Sequence, residues 1–339
     1  MKKKAWGLLL AVSLVIPSVS HAQTDMKASH NERNSINQAS VKKEGWQQEY
    51  GNWYYYKDGA KVKGWFFDGT NSFYFDSYSG RMLTGWQSFR DEVTGEYKYY
   101  YFASNGVMQK GWVQNDGYWY YLDDNGVRKS GWQKIGYQWY YFNESNGRML
   151  TGWGSFRVET TGEYKYYYFA SNGAMQLGWL QRDGDWYYLD YTGARQTGWT
   201  QISGKWYYFN NSGIMTTGKI SHDGYYYYLN EKTGALQTGW FYNGSYWNYG
   251  LSSGALKTGW FANGGKWYYF DSEGDMVTGL SSQGNNTFYF SKSTGEMVTG
   301  WVYYNNYWKY FNGNGMMVKG WNYIDGSWYY FDSWGDLIY

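Results

Sequence analysis

Nine tryptophan pairs, each seven positions apart, are the residues of this chain best placed to do chemistry. They are Trp46 with Trp53, Trp112 with Trp119, Trp132 with Trp139, Trp179 with Trp186 and Trp199 with Trp206. Trp240 with Trp247, Trp260 with Trp267, Trp301 with Trp308 and Trp321 with Trp328 complete the set. A glycine precedes all of the first members. An indole face offers apolar area and a negative quadrupole that attracts a cation. Two such faces at one spacing, nine times over, imply a multivalent aromatic binding surface. Nothing comparable exists for catalysis. The chain has no Cys, its histidines are His21, His30 and His222, and no metal-spaced cluster or nucleophile with a partner base is present. Carboxylates such as Asp116 and Asp183 fall in turns, where local hydrogen bonding explains them. No metal, no cofactor and no enzymatic activity is expected.

The elements that position these tryptophans are short repeats. From Gly45 to Tyr339 the chain divides into fourteen units of roughly twenty residues, headed by Gly45, Gly64, Gly85, Gly111, Gly131, Gly152 and Gly178, then Gly198, Gly218, Gly239, Gly259, Gly279, Gly300 and Gly320. Gly64–Ser130 matches Gly131–Thr197 at an offset of 67, so three units repeat as a block. One unit shows the plan. Gly111 to Gln114 predicts a strand, Asn115-Asp116-Gly117 a turn, and Tyr118 to Leu122 a returning strand rich in residues that suit a pleated surface. A lone hairpin is marginal in water, so the units must stack on one another. The expected fold is an all-β elongated solenoid of stacked β-hairpins. The units at Gly85 and Gly152 are longer by six residues and predict extended tips, such as Asp91 to Glu96.

Composition agrees: 24% of residues are aromatic, 46 are Gly and one is Pro. The formal charge of +2 includes Lys2, Lys3 and Lys4; without them 27 basic residues face 28 acidic ones, about −1. That balance leaves no electrostatic footprint for nucleic acid. Residues 1–22 read as a secretory signal, with those lysines, an apolar run from Ala5 to Ile16 and a Ser20-His21-Ala22 cleavage site. The run is too short to span a bilayer, and no membrane insertion is expected. Residues 23–44 are polar and predict a disordered linker; 45–339 is the array.

The returning strand reads Trp-Tyr-Tyr-Phe or Trp-Tyr-Tyr-Leu. Its last position is a packing residue. Its first Tyr is replaced by Phe73, Asn248 and Lys309, which suggests an undemanding position, whereas its second Tyr is present in all fourteen units. Strand alternation places that second Tyr on the face of the tryptophans. Aromatic glue between repeats is the competing explanation. Ser72, Thr287, Lys219 and Leu280 at tryptophan positions argue for a ligand instead, because glue should not tolerate them.

The pattern Gly-Trp-x6-Trp-Tyr-Tyr-Leu/Phe followed by Gly-x-Met-x-Thr-Gly-Trp resembles the choline-binding repeats of Gram-positive surface proteins, from Gly45 to Tyr339. The resemblance implies a left-handed spiral of hairpins, with choline caged by two Trp of one hairpin and a Tyr of the next, often beside a Met. Carried over, eight junctions keep all three rings. The second Tyr of the following unit supplies the third: Tyr74 to Trp46/Trp53, Tyr141 to Trp112/Trp119, Tyr168 to Trp132/Trp139 and Tyr208 to Trp179/Trp186. Tyr228 serves Trp199/Trp206, Tyr269 serves Trp240/Trp247, Tyr289 serves Trp260/Trp267 and Tyr330 serves Trp301/Trp308. Met149, Met175, Met215, Met276, Met297 and Met317 occupy the matching loop position. Units headed by Trp65, Trp86, Trp153, Lys219 and Leu280 depart from the pattern, and Trp321/Trp328 has no following repeat. The implied partner is choline-decorated teichoic acid of the bacterial wall, held non-covalently by a secreted, surface-attached protein. Glucan-binding repeats share the aromatic hairpin but usually lack the strand Trp, so a carbohydrate polymer is the alternative ligand, and an adhesin that uses the same hairpin scaffold is compatible with either.

Overall fold

Asp116 and Gly117 both hold positive φ, 50° and 78°. That combination makes the tight hairpin turn whose twist matches its flanking strands, and Gly adopts it without steric cost. The turn sets the register of Gly111–Asn115 against Tyr118–Leu122: Gly111 faces Leu122, Trp112 faces Tyr121 and Gln114 faces Trp119. The other full repeats use the same register, for example Trp179 opposite Tyr188 and Trp301 opposite Tyr310.

The computed structural model describes residues 42–339. The expected signal segment lies outside them, as does the expected linker except for its last three positions. The described residues are all β: fourteen antiparallel hairpins in succession, the first extended by a short third strand, Ala60–Lys61. No helix among them is long and apolar enough to cross a membrane. They form two units. One comprises the described residues up to Phe66 with Tyr74–Met82, and the other comprises Phe67–Phe73 and Leu83–Tyr339. In the smaller unit Phe75 is fully buried against Trp46 and Phe66, with ring centroids 5.7 and 6.0 Å away. There the Met82 N–H donates to the Trp53 carbonyl.

In the larger unit the last residue of the returning strand is the core. Phe102, Leu122, Phe142, Phe169, Leu189 and Phe209 are fully buried, and so are Leu229, Phe270, Phe290, Phe311 and Phe331. Burying each contributes roughly 1.5–3 kcal/mol. Gly250 takes this place in the Gly239 hairpin, where an added Cβ would lie 2.4 Å from the Gln237 carbonyl oxygen. Alternation sets the first Tyr and the Phe or Leu on one face of a hairpin, and both Trp and the second Tyr on the other. The hairpins stack face to back. Trp112 of one lies 5.8 Å from Phe142 of the next, and Trp179 lies 5.9 Å from Phe209.

A loop segment then sews each junction shut. The Met149 N–H donates 2.8 Å to the Trp119 carbonyl and the Leu150 N–H 2.8 Å to the Tyr141 carbonyl, so the loop after one hairpin binds that hairpin and its predecessor. Met175 to Trp139, Met215 to Trp186, Leu236 to Trp206, Met276 to Trp247, Met297 to Trp267 and Leu337 to Trp308 repeat the first bond at 2.7–2.8 Å. The long tips satisfy themselves: Asp91 accepts from the Thr94 and Val93 amides and pairs with Lys98. Lys98 and those amides hold its carboxyl far below the usual range.

Candidate functional site: aromatic clefts between hairpins

Seven tryptophan pairs of the larger unit have a following hairpin. In five of them the indoles stand edge to face, 6.1–6.4 Å apart with planes crossed at 80–87°. Their outer faces stay in water; Trp119 and Trp186 are about two-fifths exposed. The third ring comes from the first aromatic of the next returning strand. Tyr140 lies 4.9 Å from Trp112, Tyr167 5.0 Å from Trp132 and Tyr207 4.9 Å from Trp179. Tyr227 lies 5.0 Å from Trp199, Tyr268 4.9 Å from Trp240, Phe288 4.7 Å from Trp260 and Tyr329 4.9 Å from Trp301.

This corrects the expected geometry. In the larger unit the second tyrosines make their ring contacts elsewhere than on the tryptophan pair of the preceding repeat. Tyr141, Tyr168, Tyr208, Tyr269 and Tyr330 pack instead on Trp132, Trp153, Trp199, Trp260 and Trp321, the first position of their own hairpins. Tyr74 packs on Trp65 in the same way, within the smaller unit. Tyr228 stacks on Phe241, and Tyr289 on Tyr304 and Phe311. The reason is parity. The second Tyr does share a face with its own tryptophans, but face-to-back stacking brings the opposite face of the next hairpin over them. The first Tyr was the signal to follow, and the presence of Phe288 there fits a need for a ring.

Three clefts show the whole lining. Trp199, Trp206, Tyr227 and Leu236 enclose about 270 Å³ with Thr238, Ser252 and Ser253 at the rim. Trp240, Trp247, Tyr268 and Met276 enclose about 240 Å³, closed by Ser293 and Thr294. Trp260, Trp267, Phe288 and Met297 line about 550 Å³ with Gly313, Asn314 and Met316. A cleft therefore takes two rings from one hairpin, a third ring and a Met or Leu from the next repeat, and a small polar rim from the loop beyond. No charged side chain lines these three. Such a site suits a cation that carries no hydrogen-bond donors, since ring quadrupoles attract it without having to satisfy an N–H. Leu236 and Leu337 were missed in the sequence because only Met was sought at that place. Met317 is bound at Thr287, a junction without a tryptophan pair.

The loop glycine beyond each cleft fixes the Met. Gly173 has φ +79°, and a Cβ there would sit 2.2 Å from the Met149 sulfur. Gly173→Ala should therefore both strain the backbone and push Met149 off its junction, costing about 1 kcal/mol or more. Thermal unfolding of the variant measures this; an unchanged midpoint would mean the loop yields freely.

The choline-binding repeat family matches residues 83–128, 129–167, 196–241, 257–300 and 298–337, and the putative cell wall binding repeat matches 44–59 and 178–194. The chain belongs to the choline-binding repeat family. Comparison with curated protein sequences finds no significant match. Among solved structures, the chain is similar to CbpJ from Streptococcus pneumoniae, at 32% identity over 81% of this chain and 100% of that one, with a TM-score of 0.43. It is also similar to choline binding protein F from the same organism, at 28% identity over 81% and 98% of the two chains, TM-score 0.37. The pneumococcal modular autolysin LytC in complex with a synthetic peptidoglycan ligand is 28% identical over 68% of this chain and 52% of its own, TM-score 0.45.

Not every choline-binding repeat here carries the ring set. In the Gly218 hairpin, the Lys219 ammonium lies 5.1 Å over the Tyr226 ring and bridges to Glu273 and Asp275 at 3.2 and 3.3 Å. The next hairpin puts Asn248 where the third ring belongs. Asn248 is fully buried and donates to the Gly274 carbonyl at 2.6 Å and to Asp275 at 2.7 Å. The Leu280/Thr287 junction is matched in the same manner by Lys309, 5% exposed, which donates to the Trp334 carbonyl at 2.8 Å and to Asp336 at 2.6 Å. The expectation that this strand position is undemanding is thus wrong: a polar residue stands there only with an aspartate from a later loop to meet it. The Gly85 and Gly152 hairpins carry Tyr99 and Tyr166 for the strand Trp. From the Gly85 hairpin onward, junctions without a tryptophan pair therefore follow the Gly85, Gly152, Gly218 and Gly279 hairpins, every third one, with two paired junctions between; before them the Gly64 hairpin, with Ser72 for its strand Trp, lacks a pair too.

Proposed function

We propose that the seven three-ring clefts each take the quaternary ammonium of choline, and that the chain is an exported, non-catalytic protein held on the choline-bearing teichoic acid of the bacterial wall. The observation that carries this is the tryptophan pair capped by a third ring, crossed edge to face in five clefts and rimmed without charge in the three whose whole lining is seen. A trimethylammonium group has no donor to satisfy, and three ring faces meet its diffuse charge. Each exposed contact contributes only about 0.5–1 kcal/mol, so a single cleft binds weakly. Retention then comes from several clefts on one polymer, where effective concentration raises avidity by about 10²–10⁴.

Elution of the protein from a quaternary-amine resin by free choline, but not by dextran, tests the ligand class. Elution by dextran alone would favour a carbohydrate polymer. Residue roles are tested at one junction. Trp186→Ala and Tyr207→Ala should each remove one site from a calorimetric choline titration, whereas Tyr208→Ala should leave the site count unchanged. A loss with Tyr208→Ala and none with Tyr207→Ala would restore the other face as the binding one.

A further inference from the structure

At two junctions the cleft already holds a cation belonging to the chain. Arg128 occupies the loop position that Met149 or Met175 fills elsewhere: its N–H donates 2.8 Å to the Tyr99 carbonyl, as theirs do to Trp119 and Trp139. Its guanidinium carbon lies 4.2 Å from the Tyr99 ring centroid and 5.9 Å from that of Trp86. Tyr120, the first aromatic of the next hairpin, supplies the third ring, 4.8 Å from Trp86. Arg195 repeats every contact, 4.3 Å over Tyr166 and 5.8 Å from Trp153, with Tyr187 5.0 Å from Trp153.

The arginines are seated for this. Arg128 donates 2.8 Å to the Asn146 carbonyl, and Arg195 reaches the Asn211 carbonyl at 3.4 Å. In both, Nε is buried and finds no hydrogen-bond acceptor among the described residues. A Cβ on Gly147 or Gly213 would lie 2.4–2.5 Å from that Nε, so the loop glycine makes room for the side chain. Neither guanidinium has a carboxylate within ion-pairing reach among the described residues. Its charge is met by rings and carbonyls.

We propose that Arg128 and Arg195 are resident cations that fill their own aromatic clefts and close those two junctions to quaternary ammonium ligands. The arginine is thus a specificity-determining residue at a position where Met leaves a cleft open. This rests on the reading that the seven Trp-pair clefts bind choline.

A structure of the full chain soaked with choline separates the two ideas. Ligand in the open clefts and none beside Arg128 or Arg195 is the expected result. Ligand beside either arginine, with its guanidinium displaced, overturns the inference and leaves the proposed function standing. Clefts empty throughout overturn both. In solution, Arg128→Met should add one choline site to the full chain and Arg128→Met with Arg195→Met should add two, by equilibrium dialysis. An unchanged count in folded variants would show that the arginine does not hold the cleft shut. Should the variants unfold, the wild type still decides: the two ring-shifted arginine Nε–H resonances should not move during a choline titration, and movement in step with saturation refutes the proposal.

Discussion

Replacing Trp119, Trp139, Trp186, Trp247 and Trp308 together by Ala is expected to lower retention on a choline-bearing surface by about 10²-fold or more, the scale of avidity lost when few sites remain. The loop bonds to these residues use their carbonyls, which the substitution keeps. Their side chains lie at the solvent side of each junction, two-fifths to one-half exposed, so the stack should persist. Two clefts, those of Trp206 and Trp267, stay intact. Dissociation rate from surfaces of graded choline density measures the change, with calorimetry on free choline as the control. The affinity per remaining site should be unaltered. If retention falls only in proportion to the number of clefts removed, simultaneous engagement is not what holds the protein.

The second large effect concerns stability. Asp336→Ala leaves the Lys309 ammonium buried without its counter-charge; the two side chains are 6% and 18% exposed. Stranding one member of a buried pair costs about 3–5 kcal/mol. The loss should be local, because Leu337 anchors this same loop to the Trp308 carbonyl and Phe331 is the buried residue of the last hairpin. Hydrogen exchange is expected to show protection lost over residues 320–339 while the earlier hairpins keep theirs. Lys309→Tyr combined with Asp336→Ala should recover most of it, since a ring at that position is what the other junctions use. Equal exchange in Asp336→Ala and wild type would show that the ion pair contributes nothing there.

Much of this was legible in the sequence. The head glycines, the turn glycines and the Phe or Leu at the strand end recur at intervals that only a hairpin repeat explains. Period-two alternation correctly put Trp112, Trp119 and Tyr121 on one face. What it could not supply is how faces meet. Stacking direction is a property of two hairpins, and without it the ever-present second Tyr, such as Tyr141, takes the third-ring place that belongs to Tyr140. Asn248 and Lys309 misled for a related reason. Each looks like tolerance within its own repeat, and its partner, Asp275 or Asp336, lies 27 residues on, in a loop of the next repeat. Arg128 and Arg195 carried the same kind of hidden message: both fall at the Met position, and the hairpin each loop bonds back to, one repeat earlier, has Tyr99 or Tyr166 for its strand Trp.

The recurrence of an unpaired junction at every third hairpin turns the larger unit into a grating. Its bright lines come in twos: 112 and 132, 179 and 199, 240 and 260, then 301. A chain of evenly spaced choline groups laid along it is not equally content at every offset. Sliding by one or two hairpins carries bound groups onto Arg195, Lys219 or Leu280, and only a slide of three restores the match. A polymer moving along the protein should therefore advance in steps of three repeats. Its barrier to creep is set by the interruptions, not by the strength of any single cleft.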